Sequence, residues 1–233
     1  MAMGVDEKSS ADLAGGERPI SRQREAGEVT RRETRRRLLV AAGLEFAERG
    51  YAAATVNRIA ERAGVSLQSL YSAWGSKRAL LRAVMETAVT GESEPSDPLR
   101  AGVPPAQLRA ELRDDDTGDP RVYIGRLAHL FRRLAERSAI GWRTYRDAAA
   151  VDPEIAADWR QLMEIRRANV TAVAGRIPRE HLRDGLTPEA AGDTIWAIAS
   201  PDTHEMLVRE AGYTYDAYED WVRRTVCAAL LRD

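Results

Sequence analysis

Nowhere along this chain do β-branched residues recur at every second position, whereas apolar residues repeat at helical spacing through most of it. A half-buried strand needs a period of 2 and an amphipathic helix one near 3.6, so the pattern predicts an all-α fold. The punctuation agrees. Asp152-Pro153, Thr187-Pro188 and Ser200-Pro201 each set a capping side chain before a proline, whose fixed φ and missing N–H suit a first helical turn. Leu39, Ala42 and Phe46 share one face of a helix that starts near Thr30 and that Gly50 should stop. Val56, Ile59, Ala60 and Ala63 mark a second helix, capped by Thr55 and closed by Gly64. Ser66 caps a short third helix with Leu70 and Trp74 on one side, and Gly75-Ser76 separates it from a fourth over Lys77–Val89. Helical patterns resume over Val122–Ser138, Ile140–Ala150, Pro153–Ile177, Pro188–Ala199, Pro201–Ala211 and Thr214–Leu231.

Four parts follow from this pass. Residues 1–29 lack apolar periodicity and read as a flexible arm. Residues 30–90 form a first helical domain. Residues 91–120, broken by five prolines and three glycines, read as a linker or mobile loop with room for a short helix near Pro105–Leu112. Residues 121–233 form a second helical domain.

Charge divides the chain in the same way. The total is −1, with 35 Lys+Arg against 36 Asp+Glu, which by itself argues against a nucleic-acid binder. Residues 17–88, however, carry +6, residues 89–233 carry −5 and residues 1–16 carry −2. A single cysteine, Cys227, excludes an internal disulfide and a Cys-based zinc site, and it reads as a small apolar filler of the last helix. No window approaches the roughly 18–20 apolar residues of a membrane span, and no basic stretch precedes an apolar run at the start. The expectation is a soluble, cytoplasmic protein.

The two helices joined at Gly64-Val65-Ser66 fit a helix-turn-helix: an apolar inner stripe, a glycine at the tight reversal, then a short helix with one face to bury and one to offer to a major groove. Val65, Leu70 and Trp74 serve the buried face, and Leu67, Gln68, Tyr71 and Ser72 the other. Gln pairs bidentately with adenine, Ser and Tyr reach base edges or phosphates, and Leu meets a thymine methyl. Thr55, Ser66, Tyr71 and Lys77 are candidates for positioning phosphates, Lys77 from the positive end of the fourth helix, and Ser69 is a further DNA-contact candidate. Arg35, within the run Arg31, Arg32, Arg35, Arg36 and Arg37, is a further DNA-binding candidate, and Arg18, Arg22 and Arg24 could reach a minor groove.

The stretch from residue 34 to residue 86 resembles the N-terminal domain of TetR-family transcriptional regulators. The resemblance rests on Phe46-Ala47-Glu48-Arg49-Gly50-Tyr51, Thr55-Val56, Ile59-Ala60-Glu61-Arg62-Ala63-Gly64-Val65-Ser66, Leu70-Tyr71 and Gly75-Ser76-Lys77 in combination. The chain departs from the pattern at Leu67-Gln68 and at Ser72-Ala73-Trp74, which leaves its operator sequence open. The resemblance implies a ligand-responsive regulator, expected to be a repressor, that binds a palindromic DNA operator as a homodimer and is released by a small apolar or aromatic effector. Activation stays open. It also implies a ligand-binding, dimer-forming second domain. Phe131, Trp142, Tyr145, Trp159, Met163 and Trp196 are the pocket candidates, with His129 and His204 as polar neighbours. Ala190, Ala191, Thr194 and Ala197 are small enough for close helix approach, and Tyr218, Val222, Thr225 and Ala229 follow a 4-3-4 seam, which together suggest a four-helix interface about a two-fold axis.

Two other classes are open to this sequence. Asp115-Asp116-Thr117-Gly118-Asp119 spells a DDxxD motif that holds Mg²⁺ in prenyl-diphosphate enzymes, but it stands beside Gly118 and Pro120 with no second acidic partner, and reads as a solvated turn. His129, His181 and His204 show no metal-ligand spacing, so neither catalysis nor a cofactor or metal is expected. The remaining alternative is a helical binding protein of the same family with lost or altered DNA binding.

Overall fold

The computed structural model describes residues 18–91, 112 and 118–232. Its helices are α1 (Arg18–Ala53), α2 (Val56–Ala63), α3 (Leu67–Trp74), α4 (Lys77–Thr90), α5 (Pro120–Ala149), α6 (Pro153–Ala174), α7 (Pro188–Ile198), α8 (Pro201–His204) and α9 (Tyr215–Leu230). A π-helical segment, Glu205–Glu210, continues from α8. Among the described residues the β pairing is a single antiparallel bridge between Leu182 and Leu231, so the fold is all-α.

The capping residues do what their chemistry predicts. Asp152, Thr187 and Ser200 accept the exposed backbone N–H groups of α6, α7 and α8, with proline in the first turn of each. Gly50 breaks α1 with φ 71° and ψ 170°, so the chain turns there before running to Ala53.

Two expected boundaries differ. The arm expected over 1–29 is helical from Arg18 onward, because a helix nucleated by the apolar stripe beyond Thr30 extends backward at little cost per residue. Thr30 returns a hydroxyl bond to the Ala26 carbonyl at 2.9 Å. The break expected near Ala139 is absent, and α5 runs through it. Gly141 is tolerated inside the helix because a Cβ there would lie 3.0 Å from Met85 Sδ, so α4 packs where a side chain would stand. Apart from Gly91, Leu112 and residues 118–120, the expected linker lies outside the described residues, as does most of the acidic motif. Asp119 caps α5.

Two cores organise the rest. One gathers α1–α4 around Leu38, Phe46, Ile59, Leu70 and Leu80, and takes in Trp142, Tyr145, Ile155 and Leu162 from α5 and α6. The other packs Ile124, Leu127, Val170, Ala191, Ile195, Tyr218 and Val222 from α5, α6, α7 and α9. Helices α5 and α6 thus run through both cores, an arrangement that joins whatever happens in one to the other.

Candidate nucleic-acid interface and ligand cavity

Helix α2 ends at Gly64, which takes the left-handed conformation (φ 63°, ψ 40°) that a side chain would strain. Ser66 then starts α3 by accepting the Ser69 N–H at 3.0 Å. Arg37 crosses this turn from α1 and donates to the carbonyls of Ala63 and Gly64, the latter at 3.1 Å. Leu70 is fully buried beneath α3, with Val65 and Trp74 partly buried against the same core. The opposite face is open: Leu67 is 38% exposed and Tyr71 47%, with Gln68 and Ser72 exposed beside them. The side chains expected to read bases therefore share one outward face.

The expected phosphate contacts divide into two kinds. Thr55 and Ser66 are exposed but serve as caps, Thr55 accepting the Arg58 N–H at 3.3 Å. Ser69 is half-buried, with its hydroxyl 2.8 Å from that of Ser66. Lys77 lies in the first turn of α4 with its ammonium 4.2 Å from the centre of the Tyr51 ring, and partial burial lowers its pKa. Arg35, expected at DNA, is instead engaged within the fold. It donates to the Ala73 carbonyl at 2.5 Å and lies 3.9 Å over the Trp74 ring. Arg36 and Arg37 of the same run are also tied within the protein, Arg36 to Glu33 and Arg37 to the turn. A run of like charges on a helix also faces its neighbours, and here those neighbours offer the C-terminal carbonyls of α2 and α3.

A buried ion pair connects this head to the rest of the chain. Arg78 of α4 grips the Asp158 carboxylate of α6 with two bonds, at 2.7 and 2.8 Å, and reaches Glu154 at 2.5 Å. Arg82 lies 3.7 Å from Asp158, and the Tyr145 hydroxyl donates to it at 3.4 Å. Burial by itself raises the Asp158 pKa, but the Arg78 hydrogen bonds and the two guanidinium charges outweigh it and hold the carboxyl below its usual range. Sequence spacing did not single out this network.

Above it lies a cavity of about 210 Å³ between α5, α6, α8 and α9. Phe131 and Trp142 line it, as expected, with Leu134, Val170 and Val173. Tyr145, Trp159 and Met163 do not: they pack in the other core. Trp196 packs against the second core without lining the cavity. Helical spacing identifies a buried face but not which of two cores receives it, hence the misplacement. Trp142 bridges the two, since its indole N–H donates to Ser138 at 3.0 Å while its ring meets Trp159 edge-on at 5.7 Å. Trp159 in turn stacks on Tyr145 at 6.1 Å.

The polar wall is formed largely by residues outside the original candidate set. Arg166 donates to the backbone carbonyls of Trp196 (3.3 Å) and Ala199 (2.6 Å), and burial pulls its pKa down to about 10. His204, anticipated as a polar neighbour, is 4% exposed with Nε2 buried and unpartnered, and burial lowers its pKa. His129, anticipated with it, pairs with Glu219 at 3.1 Å and does not line the cavity. A signal for Arg166 was available: Leu162, Arg166, Val170 and Ala174 follow one apolar stripe, where an arginine is out of place.

The expected dimer seam on α9 faces inward. Tyr218 and Val222 are each 1% exposed; Tyr218 lines the cavity, and Val222 belongs to the second core. Val226 and Leu230 continue that buried face, so the 4-3-4 spacing records packing within the chain. Thr225 is half-buried. On α7, Ala190 and Ala197 are exposed and Thr194 half-buried, its hydroxyl returned to the Ala190 carbonyl at 2.8 Å.

Residues 38–84 match the family model for bacterial regulatory proteins of the tetR family. The HTH-type transcriptional activator FasR of Mycolicibacterium smegmatis is 33% identical over 153 residues, which are 65% of this chain and 64% of that protein. The chain thus matches slightly under two thirds of that relative's length. Among solved structures, NalD, the secondary repressor of the MexAB-OprM multidrug efflux pump in Pseudomonas aeruginosa, superposes with a TM-score of 0.65 at 19% identity, covering 87% of this chain and 99% of that one. SmeT in its triclosan complex gives a TM-score of 0.64 at 21% identity, covering 86% and 92%. At these identities the two structures bear on the fold alone, and the fold agrees with what the N-terminal segment shows. The family match is thus carried by residues 38–84, and the helical fold of the rest agrees with it.

Proposed function

We propose that this protein is a ligand-responsive transcriptional regulator that binds a two-fold symmetric DNA operator as a homodimer. One observation carries the reading: the outward face of α3, with Gln68 and Tyr71 exposed on a capped turn, stands on the same scaffold of α5 and α6 that encloses the cavity. In the dimer, two copies of α3 enter successive major grooves about 34 Å apart. Leu67, Gln68, Tyr71 and Ser72 read bases and backbone. Thr55, Ser66 and Ser69 fix the turn, and Arg35 holds the end of α3 from behind. The exposed face of α7, with Ala190, Thr194 and Ala197, is the part of the expected interface that remains available to a second subunit.

Ligand entry into the cavity changes how far apart the two heads sit. The contact series from Trp142 through Trp159, Tyr145 and Asp158 to Arg78 supplies a continuous path from cavity wall to α4. Coupling of order 1–3 kcal/mol is what such a change requires. FasR is named an activator and NalD a repressor, so relatives of either sign share this architecture.

The test is selection of bound sites from a random DNA library by the full-length protein, followed by a salt titration on the selected site. The expected outcome is a palindromic site whose half-sites lie about one helical turn apart, with affinity falling steeply with salt. Binding with no sequence preference at any ionic strength would refute the reading and favour a family member that has lost its DNA function.

A further inference from the structure

The cavity wall contains a positive charge, Arg166, that no carboxylate among the described residues pairs with. Arg166 is 8% exposed, and among the described residues its partners are two backbone carbonyls, those of Trp196 and Ala199, for five N–H donors. Among the described residues no carboxylate lies in ion-pair distance of it. Asp202, whose charge reaches it, is paired with Arg146 at 2.5 Å. A buried cation is strongly disfavoured without an anion, and one held in a cavity wall with no carboxylate partner among the described residues suits an anion that comes and goes.

A second group points the same way. The His204 ring is held between Tyr215, stacked at 5.6 Å, and Tyr218, edge-on at 5.2 Å, with Nε2 unpartnered. Burial keeps the imidazole neutral at pH 7, and a neutral ring protonated at Nε2 has a donor to give. Both groups line the same cavity: Arg166 binds the carbonyls of Trp196 and Ala199 at the end of α7, and His204 lies one turn into the helix that follows. The π-helical segment begins at the next residue, Glu205, and such widened turns recur at functional sites. The rest of the wall is apolar: Phe131, Leu134, Trp142, Val170 and Val173.

We propose that the cavity binds an apolar monocarboxylate, with its carboxylate on Arg166 and His204 Nε2 and its body against Phe131, Leu134, Trp142 and Val173. This rests on reading the cavity as the effector site and adds an acid group to the small apolar or aromatic effector that the sequence suggests. An uncharged hydrocarbon leaves the donors of Arg166 and His204 unmatched, and an amine sets a second cation beside Arg166. The carboxylate satisfies both donors at once.

Calorimetric titration of the full-length protein in DNA-free buffer tests this with matched probes: dodecanoate against dodecan-1-ol and dodecylamine, and 2-naphthoate against 2-naphthylmethanol. The expected result is at least tenfold tighter binding of the acid than of the alcohol in one pair, with no binding of the amine. The choice of pair tells whether the body is a chain or a ring. Arg166→Met should bring acid and alcohol to equal affinity, and Arg166→Lys should keep part of the preference. His204→Phe should weaken the acid several-fold and leave the alcohol unchanged; it decides the matter if Arg166→Met does not fold. Equal binding of acid and alcohol by the wild type, failure of both acids to bind, or a folded Arg166→Met that still prefers the acid overturns the proposal. None of these titrations contains DNA. A protein that selects an operator but shows no acid preference refutes this inference alone, and one that prefers the acid but selects no site refutes the regulator reading alone.

Discussion

Removing Arg78 leaves a carboxylate facing the interior. The Asp158 side chain is 8% exposed and held by two Arg78 bonds of 2.7 and 2.8 Å, while the Arg78 side chain is 31% exposed. Deleting one partner of a fully buried pair costs roughly 3–5 kcal/mol. Here Arg82 stays at 3.7 Å, Tyr145 stays at 3.4 Å and part of Arg78 already meets water, which brings the expected cost of Arg78→Ala to about 2 kcal/mol. For a chain of this size that lowers the melting temperature by about 4–8 °C. Asp158→Asn keeps the shape and frees guanidiniums that can reach solvent, so it costs less, about 1 kcal/mol. The double variant should cost no more than Arg78→Ala alone, giving a coupling of about 1 kcal/mol in a denaturation cycle followed by circular dichroism. Glu154 is 74% exposed and contributes little to the total. Additive single effects, within about 0.5 kcal/mol, would refute the pairing that joins α4 to α6.

Three further outcomes are expected. A Cβ at Gly192 would lie 2.7 Å from Thr171 Oγ1 and 2.8 Å from its Cα, where backbone cannot yield, so Gly192→Ala costs about 2 kcal/mol, whereas Gly141→Ala meets only the flexible Met85 sulfur and stays near neutral; equal melting temperatures for the two variants contradict this packing. The His204 pKa is lowered in the fold by burial, against the opposing charge of Glu205, with Tyr215 and Tyr218 against the ring and Arg166 in the same cavity wall; its contribution to stability is present above the unfolded value of about 6.5 and lost as pH falls through the lower folded value, so melting curves between pH 7.5 and 5.5 should converge with those of His204→Gln toward the acid end, and parallel curves speak against it. Gln68→Ala should weaken binding to the selected site by about 1–3 kcal/mol and relax preference at one base pair without altering the salt slope; a loss uniform across sequences would show Gln68 to be a backbone contact.

Local chemistry was legible and tertiary choice was not. Thr55, Ser66 and the three cap–proline pairs start their helices where their side chains require, and Gly64 reverses the chain as the turn demands. The open face of α3 was readable for the same reason, since Leu67, Gln68, Tyr71 and Ser72 lie opposite a single buried leucine. The pocket was read only in part. Trp142, Trp159 and Tyr145 all belong to apolar stripes, and nothing in a stripe says which side of a two-core helix it meets. Tyr218 and Val222 show the same ambiguity: a seam for a partner and a seam for one's own chain have equal spacing. Arg35 eluded sequence reasoning because its carbonyl and ring partners, Ala73 and Trp74, stand nearly forty residues away.

The buried stripe of α6 carries a negative charge at Asp158 and a positive one at Arg166, eight residues and about 12 Å apart along the axis. This fixes the helix lengthwise. If α6 slid toward α4 by that distance, Arg166 would arrive opposite Arg78 and Arg82, and a slide of one turn would take Asp158 from Arg78 and Arg82 and Arg166 from the Trp196 and Ala199 carbonyls. Ratcheting by turns is therefore closed to α6, and the motions left to it are tilt and rotation as a stiff lever. A ligand that pulls on Arg166 would then act on α6 as one stiff body, whose grip on α4 is the Asp158–Arg78 pair.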